Sequence, residues 1–154
     1  MPIGIILPLL ISFLSDGQIF FAAAFTTSII VHKGLRLGKQ YRNLTDYESA
    51  KIALFGPIAN ILLATILAIF NLAALQELIF VNSMMATFTM LPLPGLVGST
   101  VFFGSKPLYV FGYVFILVLA LLLKSFVNPY SALLVALSAG IIALITYLWK
   151  KELD

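Results

Sequence analysis

The sequence predicts an all-α protein, a polytopic helix bundle with about six membrane-crossing segments, and three observations lead there. Of 154 residues, 62% are hydrophobic and 10% charged, whereas soluble chains carry about 25% charged residues. Mean hydropathy is +1.11. The apolar residues gather into stretches at about 2–14, 18–32, 51–70, 78–93, 108–123 and 130–149, against the roughly 20 residues that a spanning helix needs. The chain, 1–154, reads as a single integral membrane domain.

The first two stretches are short. They predict either two short spans or a hairpin dipping into the membrane around Ser15-Asp16-Gly17. Both readings leave Met1 and the loop at 33–50 on one side. No basic residue precedes Leu14, so no cleaved secretory signal is expected despite Ala22-Ala23-Ala24. The third segment opens on Gly56-Pro57-Ile58-Ala59-Asn60. Pro57 is expected in a first helical turn, where its missing N–H costs nothing. Gly56, Ala59 and Asn60 are expected to let helices approach and hydrogen-bond. Asn71, Gln76 and Glu77 predict a turn, with Glu77 a solvated carboxylate. Asn82 in the fourth segment should bond to a neighbouring helix, because an unpaired amide in hydrocarbon is costly. Pro92 and Pro94 then break that segment. In the fifth and sixth segments, Tyr109, Tyr113, Tyr147 and Trp149 lie near helix ends, where amphipathic rings favour the headgroup region.

The charges set the sidedness. Lys33, Arg36, Lys39, Arg42, Lys51, Lys106, Lys150 and Lys151 fall on one predicted side and Lys124 alone on the other. The positive-inside bias therefore makes both termini and the 33–50 loop cytoplasmic. A net charge of +3 would suggest nucleic acid in a soluble chain; in this one it is a topology signal, and no nucleic-acid partner is expected. The loop from Lys33 to Ser49 reads as solvated and in contact with headgroups, or else as a docking surface for a cytoplasmic partner. The sequon Asn43-Leu44-Thr45 falls on the cytoplasmic side and is not expected to be used. With no cysteine, disulfides and thiolate metal sites are excluded.

Thr89-Met90-Leu91-Pro92-Leu93-Pro94-Gly95-Leu96-Val97-Gly98 resembles the second metal-ligand motif of the site-2 protease (M50) family of intramembrane zinc proteases. Gly56-Pro57-Ile58-Ala59-Asn60 resembles that family's Gly-Pro-x-x-Asn element. The likeness covers roughly residues 25–110 and implies a site-2-protease-like core with a proline-broken fourth segment. The family's motif reads Asn-x-x-Pro-x-x-x-Leu-Asp-Gly, and here Thr89 stands at the Asn position and Val97 at the zinc-binding Asp. A hydrocarbon side chain has no donor for zinc. His32, the single histidine, fits the family's His-Glu-x-x-His in neither register. Counted as the first histidine it gives His32-Lys33-Gly34-Leu35-Arg36. Counted as the second it gives Ser28-Ile29-Ile30-Val31-His32, with Gly38 near the glycine that often follows. His32, Thr89 and Val97 are therefore degenerate motif positions, while Gly56, Pro57, Asn60, Pro92, Pro94 and Gly98 keep the structural part of the pattern. No catalytic residue, metal ligand or cofactor is expected.

The resemblance implies a pseudoprotease that binds or scaffolds other integral membrane proteins, as a subunit of a hetero-oligomeric complex in the bilayer. The alternatives are a small transporter or channel subunit, since broken helices occur there too, and an active intramembrane metallopeptidase with unusual ligands.

Overall fold

The structure, a computed structural model, describes Phe13, residues 44–125 and residues 128–153. The segment at 18–32, all but Phe13 of that at 2–14, and His32 lie outside the described residues. Among the described residues there are five α-helices and no strand: α1 (Asp46–Ile69), α2 (Gln76–Thr89), α3 (Val97–Gly104), α4 (Lys106–Lys124) and α5 (Pro129–Leu153). Helices α1, α4 and α5 are long and apolar enough to cross a membrane, and the chain is a membrane protein on that ground.

Helix α1 begins five residues earlier than the apolar stretch, because a capping box starts it. The Thr45 hydroxyl accepts from Glu48 N–H at 3.2 Å, and Thr45 N–H donates to the Glu48 carboxylate at 2.9 Å, so two otherwise orphaned donors are satisfied. Asp46 and Glu48 also place negative charge at the positive end of the helix dipole. This early start corrects the expectation for Pro57, which lies deep inside α1 and is buried. The missing N–H leaves the Ala53 carbonyl without its i+4 donor. The helix closes at Phe70, and Asn71 follows in the left-handed region at φ 47°, which short amide side chains tolerate. A 3-10 turn, Ala73–Leu75, leads into α2.

Helix α2 stops at Thr89, ahead of two X-Pro pairs. Leu91 and Leu93 each precede a proline, and that position disfavours helical backbone. Gly95, at φ 89°, turns the chain, and α3 starts two residues later. Ser105 caps α4, its hydroxyl accepting from Leu108 N–H at 3.4 Å. Asn128 caps α5, its side-chain oxygen accepting from Tyr130 N–H at 3.2 Å, with Pro129 at the first helical position.

Three contacts fix the topology. Gly104 at the end of α3 packs on Asp46 and Ala50 at the start of α1. The Lys124 ammonium at the end of α4 lies 6.0 Å from the centre of the Phe80 ring near the start of α2. Gly140 in α5 meets Phe111 in α4. One end of the bundle therefore gathers Asp46, Gly104, Lys106 and the end of α5; the other gathers Ile69, Gln76, Lys124 and Pro129. Helix α4 packs against all the other four, whereas α5 rests mainly on α4 and scarcely touches α1. Ile61, Met90, Val101, Ile116 and Leu119 fill the core.

Candidate functional site: the broken crossing

Helices α2 and α3 together make one interrupted passage through the bundle, and the break has a definable depth. A Cβ on Gly112 would stand 3.0 Å from Leu54 Cδ1 and 3.5 Å from Met90 Cε. Leu54 is eight residues into α1, about 12 Å at 1.5 Å per residue, and Gly112 is six residues into α4, about 9 Å. The end of α2 thus lies about 9–12 Å along the helix axes from the end of the bundle that carries Asp46 and Lys106, and α3 covers that distance back to Asp46.

The inner half of the break is packed. Val97 is 3% exposed and sits in the apolar core. Gly98 is buried so closely that a Cβ would overlap the carbonyl oxygens of Met90 and Leu91, so only glycine fits beneath the end of α2. The Thr89 hydroxyl donates to the Met85 carbonyl on its own helix. Ser99 holds the start of α3, its N–H and hydroxyl both donating to the Leu96 carbonyl, at 3.2 and 2.7 Å. The outer half is open: Pro92, Leu93, Pro94 and Gly95 are exposed. Leu93 N–H bonds to the Leu91 carbonyl at 2.8 Å and Leu96 N–H to the Leu93 carbonyl at 3.1 Å. The carbonyls of Pro92 and Pro94 and both backbone groups of Gly95 have no partner among the described residues.

Of the residues singled out by sequence, the structure brings Thr89, Val97 and Gly98 together around the end of α2. Pro57 is buried too, on α1. Gly56 is corrected: it faces outward with nothing within 4 Å of where a Cβ would be, so it makes no close approach. Helix α3 runs along α1 towards Asp46 and Ala50. Asn60 is half-buried. Asn82 is corrected as well, since its amide donates to the Leu78 carbonyl one turn back at 2.8 Å and, among the described residues, not to another helix. Glu77 lies in the exposed first turn of α2. Sequence reasoning missed Gly104, where a Cβ would lie 2.7 Å from that of Ala50, and Ser83, whose buried hydroxyl has no hydrogen-bond partner among the described residues. Nothing local in the sequence marks either one as facing inward.

Val97 is surrounded by hydrocarbon and Thr89 spends its hydroxyl on its own backbone, so the two motif positions present no pair of donors to a metal. Among the described residues no three of His, Cys, Asp and Glu come together. A groove of about 370 Å³ opens between the ends of α1 and α5, lined by Leu62, Thr65, Ile66, Ile69, Pro129, Tyr130, Leu133 and Leu134. Thr65 turns its hydroxyl to the Ile61 carbonyl at 2.8 Å, which leaves that wall apolar. Compared with family models, with curated proteins and with solved structures, the chain matches none.

Proposed function

We propose that the chain is a non-catalytic member of the site-2 protease (M50) family, with about six spans and both termini cytoplasmic, that acts by holding other membrane proteins within a complex. The observation that carries this reading is the exposed backbone from Pro92 to Gly95, which the proposed topology sets partway into the bilayer. Lipid offers no hydrogen bonds, so irregular backbone at that depth is tolerated only where protein or a water-filled cavity meets it. A packed inner half with Val97 at the ligand position, beside an outer half with unpaired carbonyls, suits a surface that binds and does not hydrolyse. The transporter alternative draws on the uncapped start of α3, since half-helix N-termini at depth can face anionic substrates. It is the weaker reading, because Thr89 and Ser99 turn their hydroxyls onto backbone.

A photo-crosslinking residue at Leu93, set against one at the exposed Leu121 of the unbroken α4, tests the proposal in intact membranes. Leu93 should give discrete protein adducts that identify the partner, while Leu121 should give lipid adducts. Lipid adducts alone at both positions would overturn it.

A further inference from the structure

We infer that the end of the bundle carrying Asp46, Lys106 and the last turn of α5 docks anionic phospholipid headgroups. Four exposed lysines lie there: Lys51 in the second turn of α1, Lys106 opening α4, and Lys150 and Lys151 closing α5. Among the described residues, the opposite end has Lys124 alone. None of these lysines forms an ion pair with a described residue, although Asp46, Glu48 and Glu152 lie at the same end. Glu48 is engaged by the capping box, where it accepts from Thr45 N–H and the Thr45 hydroxyl at 2.9 and 3.0 Å. Asp46 occupies the first turn of α1, next to its dipole.

Aromatic rings hold the ammonium groups instead. Lys51 Nζ stands 4.2 Å from the centre of the Tyr47 ring and Lys106 Nζ 5.9 Å from that of Phe102. Phe102 meets Tyr109 edge-on at 5.3 Å, and Tyr109 stacks on Tyr113 at 5.6 Å. A ring stack descending from a lysine is an interfacial arrangement: Phe102 and Tyr109 lie nearest the headgroups, Tyr113 follows one turn deeper, and the ammonium points to water. A ring face stabilises a cation without neutralising it, so the charge stays available to a phosphate. Anionic headgroups supply that charge in the required plane, and clusters of lysine beside membrane helices attract them.

The protein reconstituted in nanodiscs tests this. Replacing roughly one-third of a phosphatidylcholine bilayer by phosphatidylglycerol should raise Tm by about 4 °C at low salt, and high salt should remove most of the rise. A variant carrying K51Q, K106Q, K150Q and K151Q should melt like the wild type in phosphatidylcholine but lose the rise, whereas K124Q should keep it. Inorganic phosphate added to phosphatidylcholine discs should give no rise. Equal Tm in the two lipids, an equal loss in K124Q, a rise retained by the four-lysine variant, or a full rise from inorganic phosphate would each overturn the assignment.

Discussion

Gly56 and Gly98 show how differently one residue type can be used. Beneath Gly98 lie the Met90 and Leu91 carbonyl oxygens, which belong to backbone and cannot rotate aside. Gly98→Ala must push α3 away from the end of α2, and overpacking of this kind costs about 1–3 kcal/mol. Gly56 has open space around it. Gly56→Ala gains helix propensity and loses some of it again to the crowding of a residue before proline, so it should stay within about 1 kcal/mol of the wild type. Thermal unfolding in one detergent compares the two directly. A larger loss at Gly56 than at Gly98 would contradict the packing described.

At the scale of the element, α3 is a short helix held by one buried side. Val97, Gly98 and Val101 face inward, while Phe103 is 82% exposed. Eight residues are too few for a helix to be stable alone, so α3 depends on packing against α1 and α4. Val97→Asp puts a carboxyl into that apolar contact, where burial without a partner costs a few kcal/mol. An aspartate here, as at the matching position of the M50 motif that this stretch resembles, should therefore lower Tm and weaken assembly, with no protease activity gained. An unchanged Tm with stoichiometric zinc bound would reverse that conclusion.

For the molecule as a whole, the distribution of lysines sets how the bundle sits in the membrane. With Lys51, Lys106, Lys150 and Lys151 at one end and Lys124 at the other, the first end should face the cytoplasm. Single cysteines replacing Glu152 and Lys124 test this in intact cells with an impermeant thiol reagent. The Lys124→Cys protein should label from outside and the Glu152→Cys protein should not. The reverse pattern would invert the topology while leaving the helix packing untouched.

The sequence by itself determined what is local. High apolar content made the described chain helical, the apolar runs located α1, α2, α4 and α5, and Pro92 and Pro94 stopped α2, because a proline acts on its own and the preceding residue wherever it stands. Asn71 fell at the turn where it was expected, whereas Gln76 and Glu77 already belong to the first turn of α2. The start of α1 was also legible, in Thr45-x-x-Glu48, but apolar periodicity overlooks a capping box made of polar residues. What only the tertiary structure decided is which face of each helix meets a neighbour. Gly56, Asn60 and Asn82 look like interhelical contacts by residue type, yet Gly98, Gly104 and Gly112 make the close approaches and Asn82 bonds to its own helix. A small or polar side chain permits a contact without specifying one. The specification comes from the backbone brought against it, which for Gly98 is the end of α2 just across the proline break and for Gly104 the first turns of α1, which alone are far away in sequence.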